Sequence, residues 1–143
     1  MSEILPIPDP ADSSEIRRLV EDYCSTQRHP SLAKFIVHNT ISINNLWKSN
    51  VFNGFGCYIF YREDGSVKYI GMSGQISNRL ASQLSRATQA SPFWIQGPAY
   101  YVDIIEVTQP WEAPSLEVYL TQKIASLRSR PDIRSDIDMR PTR

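Results

Sequence analysis

The sequence has few of the features that mark secreted, membrane-spanning or zinc-binding proteins. Its only two cysteines, Cys24 and Cys57, fit neither a disulfide framework nor the paired spacing of zinc ligands. No run approaches the roughly 18 apolar residues that cross a bilayer. The first residues, Met1–Pro6, lack the basic and apolar regions of a secretory signal. We therefore expect a cytoplasmic protein with no membrane partner.

An excess of charge of one sign is also lacking. The 15 basic and 15 acidic residues give a net charge of zero, which argues against broad nucleic-acid binding driven by counterion release. The basic residues are unevenly spread, however, and six lie in the last 21 positions: Lys123, Arg128, Arg130, Arg134, Arg140 and Arg143. Aspartates lie among these arginines, so the segment is interpreted either as a solvated tail or as a phosphate-binding one.

The first third of the chain, residues 1–53, is predicted to be an acidic, proline-rich segment followed by a helical accessory layer. Asp12 and Glu15 have capping-box spacing. Apolar residues at helical spacing then predict a helix over about 13–24. Two further short helices are predicted, over residues 32–38 and 44–48.

The pattern changes after Gly54 and predicts a sheet that begins with a β-hairpin. Two β-rich runs flank Asp64-Gly65, a pair typical of hairpin turns. The predicted strands and helices then follow in the order strand, strand, helix, strand and helix, over residues 57–61, 67–70, 78–88, 100–107 and from Pro114 onwards. This order predicts an α+β fold with a small three-stranded, at least partly antiparallel sheet flanked by helices. We assign this domain to residues 54–130 and a basic tail to 131–143.

Two tyrosines, an arginine and a glutamate lie at a defined spacing within this domain. Tyr58 ends the triplet Gly-Cys-Tyr, and Tyr69 opens the triplet Tyr-Ile-Gly eleven residues later. Arg79 follows Tyr69 by ten residues, and Glu117 lies on the last predicted helix. Over about residues 54–128 the chain thereby resembles the GIY-YIG endonucleases, whose paired motif, arginine and glutamate occur in this order.

The resemblance implies a Mg²⁺-dependent (or Mn²⁺-dependent) endonuclease that hydrolyses phosphodiester bonds, with DNA favoured over RNA as the substrate. Its catalytic residues would be Tyr58, Tyr69, Arg79 and Glu117, with Tyr58 as general base and Glu117 as the metal ligand. The residue chemistry agrees with this, because Mg²⁺ takes only one or two carboxylates in many sites. The planar guanidinium of an arginine also suits a phosphate oxygen.

Three other polar residues are candidate substrate contacts. Ser73 flanks the loop that precedes Arg79. Gln83 and Arg86 follow Arg79 on the same predicted helix, and we expect the three side chains to form one polar stripe facing the nucleic acid. Target choice would depend on residues 1–50, on the basic tail, or on a homodimer or protein partner.

Departures from the family pattern keep a second hypothesis open. Met72 stands where many members have lysine, and Gln83 stands where many have histidine or tyrosine. With the neutral net charge, these departures suit a GIY-YIG-like module that binds nucleic acid or protein with little or no catalysis. A toxin or defence nuclease would share the proposed chemistry. Neither His29 nor His38 has a cysteine or carboxylate at ligand spacing, so we expect no site at either.

Overall fold

The computed structural model describes residues 11–29, 31–48, 50–85, 99–128 and 134–135. The helices in this part of the chain are α1 (Ser13–Thr26), a 3₁₀ helix (Ile43–Lys48), α2 (Ile76–Ser85) and α3 (Glu112–Arg128). The strands are β1 (Ile36–Val37), β2 (Ile41–Ser42), β3 (Gly56–Tyr61), β4 (Val67–Ser73), β5 (Tyr101–Glu106) and β6 (Arg134–Ser135). None of the described helices is long and apolar enough to cross a membrane.

The sheet is built around β3, which lies between β4 and β5 and pairs antiparallel with both. The strand order is β1-β5-β3-β4-β6, and β2 also pairs with β5. The short strands β1 and β2 are antiparallel to β5, whereas β6 is parallel to β4. An α+β fold with a largely antiparallel sheet and flanking helices is therefore confirmed. The sheet is larger than the predicted three strands, because three two-residue segments pair with its outer strands.

The two faces of the sheet are covered by different helices. One face packs against α1 and α3, and we call the apolar side chains buried there the α1/α3 core. This core includes Ile16, Leu19, Cys57, Ile59, Ile105, Leu116, Leu120 and Ile124. The other face packs against α2 and the 3₁₀ helix, and we call this the α2 core; it includes Leu46, Tyr58, Phe60, Ile76, Leu80, Val102 and Ile104. Successive residues of β3 alternate between the two cores, as successive side chains of a strand must.

The first third of the chain differs from its prediction in two respects. Residues 32–38 do not form a helix, because the β-branched pair Ile36–Val37 instead pairs with the edge of β5. Asp12 precedes α1 but makes no side-chain capping bond. Its Oδ2 accepts the N–H of Val67 at 2.9 Å, so the residue links the helix to the sheet. The predicted helices near 13–24 and 44–48 are confirmed as α1 and the 3₁₀ helix.

A buried polar network around Asp103 joins this first third to the sheet. The hydroxyls of Ser13 and Tyr61 donate to Oδ2 of Asp103 at 2.8 Å and 2.5 Å. Thr40 donates to Oδ1 at 2.5 Å, and a guanidinium nitrogen of Arg17 lies 3.6 Å from the same oxygen. Burial, and then the carboxylate beside it, raise the pKa of Tyr61 well above its usual value. Tyr61 therefore remains a hydrogen-bond donor across the ordinary pH range.

A buried ion pair anchors the start of α3. Arg28 donates from Nε to Oε2 of Glu112 at 2.5 Å, and Thr108 donates to Oε1 at 2.6 Å. Burial alone would raise the pKa of Glu112, but the hydrogen bonds from Arg28 and Thr108 bring it below its usual value. Glu112 is therefore an ionised carboxylate whose task is structural.

Gly56 lies where two strands approach too closely for a side chain. A Cβ at this position would lie 2.2 Å from the carbonyl oxygen of Ile105 on β5. We expect Gly56→Ala to lower the free energy of unfolding by about 1–3 kcal/mol, as overpacking does elsewhere, measured by urea denaturation. Gly74→Ala is the matched control, because its Cβ would meet only the exposed ring of Phe55 at 2.9 Å, which can turn aside. Equal unfolding free energies for the two variants would contradict the expectation.

Candidate active site

The two motif tyrosines lie on the same face of the sheet, in contact with the α2 core. Tyr58 is opposite Gly71 and Tyr69 is opposite Phe60 in the β3–β4 register. The ring centroids of Tyr58 and Tyr69 are 6.3 Å apart and their planes are 27° from parallel. Phe60 meets Tyr58 edge-on with centroids 5.5 Å apart. Tyr58 is fully buried, whereas Tyr69 is half-buried.

A β-bulge decides that the tyrosines share a face. The register shifts between Phe60 and Tyr61, so Lys68 is an extra residue with no opposite partner on β3. Had the pairing of Tyr61 with Val67 continued without the bulge, Tyr69 would lie opposite Ile59. It would then face the α1/α3 core, since a one-residue shift reverses the faces of a strand.

Arg79 reaches the tyrosine pair from α2. The helix begins where Ile76 donates its N–H to Gly54 O at 3.3 Å, and Oδ1 of Asn53 accepts the N–H of Asn78 at 3.3 Å. These bonds supply acceptors for amides in the first turn. One residue further, exposed Arg79 donates from Nε to the hydroxyl of Tyr58 at 3.3 Å. The structure thus brings Tyr58, Tyr69 and Arg79 together.

Glu117 comes from a different layer of the fold. It is fully buried on α3, and the neighbouring apolar residues Ala113, Leu116 and Leu120 pack in the α1/α3 core. The sulfur of Cys57 donates to the carbonyl oxygen of Ala113 at 3.2 Å and fixes this helix against β3. The helix that carries Glu117 therefore packs on the face opposite to that of Tyr58 and Tyr69.

The donor chemistry of Glu117 fits a hard cation. Among the described residues, no group of three or more His, Cys, Asp or Glu side chains could hold a metal ion. A single carboxylate suits Mg²⁺ or Mn²⁺, which bind oxygen ligands and retain water. Since Glu117 is fully buried, a hydrated cation could reach its carboxylate only if neighbouring side chains move.

The candidate substrate contacts are only partly described. Ser73 ends β4, and its Oγ accepts the N–H of Gln75 at 2.9 Å in the turn that leads into α2. Gln83 belongs to α2, but its side chain lies outside the described residues, as does Arg86. Their predicted stripe with Arg79 therefore stays a prediction. Met72, at the position where many family members have lysine, is partly buried against the α1/α3 core.

Sequence reasoning missed a histidine–carboxylate pair on the tyrosine face. His38 Nε2 lies 2.5 Å from Glu106 Oε2, and the imidazole stacks on the ring of Phe52 with centroids 5.9 Å apart. Glu106 could have been placed on this face by its alternation with Ile104 along β5. The position of His38 could not have been predicted, because residues 32–38 were predicted to form a helix and not to run beside β5.

Sequence reasoning also missed a buried lysine beside Tyr69. Lys68 is only 2% exposed, and burial, followed by the nearby charge of Arg62, lowers its pKa to about 8. An unfolded lysine has a pKa near ~10.4. Between these two values the unfolded chain binds a proton that the folded chain does not, so this group makes the protein more stable as pH rises.

Lys68→Met should remove that pH dependence. We expect the melting temperature of the wild type, relative to Lys68→Met, to rise between pH 8 and pH 10, because only the wild type carries the titrating amine. Lys34→Met is the matched control at an exposed lysine, and its difference from the wild type should stay constant over the same range. A constant difference for Lys68→Met would show that the amine titrates as an ordinary lysine.

The chain matches no protein-family model, and no curated protein or solved structure gives a significant match. The likeness to GIY-YIG endonucleases therefore depends on the motif residues alone. The nuclease activity that this likeness implies is a proposal.

Proposed function

We propose that this chain is a metal-dependent endonuclease of the GIY-YIG type that hydrolyses phosphodiester bonds, with DNA as the favoured substrate. One observation carries the proposal: Arg79 donates to the hydroxyl of Tyr58 at 3.3 Å, on the face where the ring of Tyr69 stacks on Tyr58. Three side chains, from β3, β4 and α2, thereby form one cluster. Strand β3 and its two neighbours, β4 and β5, would together form the sheet of the GIY-YIG fold.

The tasks proposed for Arg79, Tyr58 and Tyr69 follow from their positions, and that of Glu117 follows from the family resemblance. Exposed Arg79 can place its guanidinium on a phosphate oxygen and stabilise the charge that grows there in the transition state. Tyr58 holds that guanidinium through its hydroxyl, and Tyr69 packs against the Tyr58 ring. Glu117 would hold Mg²⁺, which when bound supplies a Lewis acid to the phosphate.

A specific observation favours a second candidate, a nucleic-acid- or protein-binding module with little or no catalysis. Tyr58 and Glu117 are both fully buried, and the helix of Glu117 packs on the opposite side of the sheet from Tyr58. A site for hydrolysis needs water and a cation at the scissile phosphate. In a binding module, by contrast, exposed Arg79 could contact phosphate without either.

One assay separates these functions. Wild-type protein is incubated with supercoiled plasmid, single-stranded DNA and RNA, in Mg²⁺, Mn²⁺ or EDTA, and binding to the same substrates is measured by fluorescence anisotropy in EDTA. Cleavage that needs the divalent cation, and is strongest on DNA, is the expected result. Binding without cleavage in any cation would establish the second candidate instead. If the protein neither binds nor cleaves any of these substrates, both the nuclease proposal and the nucleic-acid-binding form of the module are overturned.

A further inference from the structure

The His38–Glu106 pair has the hydrogen-bond geometry of an oriented base. His38 Nε2 faces Glu106 Oε2 at 2.5 Å. An ionised carboxylate only accepts hydrogen bonds, so in the neutral imidazole Nε2 carries the proton and Nδ1 carries the lone pair. Nδ1 makes no hydrogen bond to any described residue. The side chain of His38 is 37% exposed, so this lone pair lies on a ring that solvent can reach.

The strand register places the pair beside the tyrosine cluster. Glu106 is opposite Gly56, and Ile104 is opposite Tyr58, in the β5–β3 pairing. Glu106 and Tyr58 are therefore diagonal neighbours on the same sheet face, at a typical separation of about 7–8 Å. Gly56, which completes this part of the face, has no side chain to stand between them.

Loop contacts tie the imidazole to the helix that carries Arg79. The ring of Phe52 stacks on His38 and lies so close to Gly54 that a Cβ there would be 2.5 Å from it. The carbonyl oxygen of Gly54 in turn accepts the N–H of Ile76, the first residue of α2. Phe52 thus positions His38, and Gly54, two residues later in the same loop, positions the start of the helix that carries Arg79.

Among the described residues, charged groups reach His38 from β5 and from α1. Glu106 on β5 bonds to the ring, and Arg17 on α1 donates from Nη2 to the main-chain oxygen of His38 at 3.3 Å. Imidazole is the side chain best suited to proton transfer near neutral pH. A phenol has an ordinary pKa near ~10, so at neutral pH almost none of it is the phenolate that could accept a proton. The hydroxyl of buried Tyr58 also already accepts the bond from Arg79.

We infer that His38 is the proton acceptor of this nuclease and that Glu106 is its positioning residue. This inference rests on the proposed function. In the hydrolytic step, Nδ1 of His38 takes a proton from the attacking water as the water oxygen forms a bond to phosphorus. The bond from phosphorus to the leaving oxygen breaks, and its electron pair stays on that oxygen, which takes a proton from solvent. Glu106 holds the imidazole in the required tautomer and stabilises the imidazolium that forms.

Single-turnover cleavage rates measured against pH test the assignment. His38→Gln should lose about 10²-fold or more in rate, the scale of general-base catalysis, together with the pH dependence near neutrality. Glu106→Gln should lower the single-turnover rate while leaving DNA binding in EDTA unchanged, because the imidazole loses the carboxylate that orients it. His29→Gln replaces the only other histidine, which is exposed and bonded locally to Ser31, and should behave as the wild type.

Two further measurements separate chemistry from folding. Added imidazole should restore cleavage to His38→Ala, which a purely structural role would not allow. His38→Gln should still bind DNA in EDTA. Tyr58→Phe should cleave more slowly, because Arg79 loses the hydroxyl that holds its guanidinium. This variant should nevertheless keep the wild-type pH profile.

Three outcomes overturn the inference. The first is a His38→Gln variant that keeps the wild-type rate and pH profile. The second is a Tyr58→Phe variant that loses the pH dependence while His38→Gln keeps it; this would return the base role to Tyr58 and leave the nuclease proposal intact. The third is a wild type that cleaves no nucleic acid in any cation, which defeats the proposed function itself and is seen before any variant is made.

Discussion

Glu117→Gln is expected to abolish cation-dependent cleavage and to leave the melting temperature within a few degrees of the wild type. Glutamine keeps the shape of the fully buried side chain, so the packing of α3 should survive. The substitution removes the negative charge that a divalent cation needs from its only proposed carboxylate ligand. Cleavage of plasmid in Mg²⁺ and thermal unfolding of the same preparation measure both effects.

Glu112 provides a matched control five positions earlier on the same helix. It is also a buried glutamate, but its charge serves the ion pair with Arg28. Glu112→Gln should therefore show the opposite pattern: a loss of about 1–3 kcal/mol in the free energy of unfolding, with cleavage retained by the folded protein. A Glu117→Gln variant that melts much earlier yet still cuts would make Glu117 a structural residue like Glu112.

Arg79→Ala is expected to reduce the cleavage rate by about 10²-fold or more, the usual cost of losing one donor that stabilises transition-state charge. Arg79 is exposed but donates to the hydroxyl of buried Tyr58, so its removal should lower the free energy of unfolding by about 0.5–1.5 kcal/mol. Single-turnover kinetics should show the loss in the chemical step, because the proposed contact strengthens as charge develops on the phosphate.

Two other variants show whether the effect belongs to the guanidinium at this position. Arg79→Lys keeps a positive charge but loses the planar set of donors, so it should recover only part of the rate. Arg18→Ala removes an exposed arginine whose ion pairs, within the described part of the chain, are with Glu15 and Asp22 on its own helix, and it should have no effect. Equal activity of Arg79→Ala and Arg18→Ala would mean that α2 does not face the phosphate.

The elements with strong local patterns could be predicted from the sequence, whereas those that depend on distant partners could not. The turn at Asp64-Gly65 predicted the β3–β4 hairpin, and Gly65 has the positive φ of 87° that such a turn requires. Strand β1, by contrast, is only two residues long, too short for a periodicity to be read. Its residues are a strand because the edge of β5 is there to pair with.

The candidate site shows the same division. The motif spacing pointed to Tyr58, Tyr69 and Arg79, and the structure gathers these three. The shared face of the tyrosines depends on the extra residue Lys68, and nothing in the hairpin sequence announces a bulge at that position. The partner of His38 could not be found either, because it lies 68 residues away in the sequence.

The network around Asp103 has a consequence for where the chain can be divided. A fragment that begins at residue 54, the predicted start of the nuclease domain, would retain Asp103 and Tyr61 but lose Ser13, Arg17 and Thr40. The carboxylate would then lose three of its four partners, and the α1/α3 core would lose Ile16 and Leu19 of α1. Residues 13–29 and 31–40 therefore belong to the same folding unit as the sheet, and a minimal folded fragment of this protein must include them.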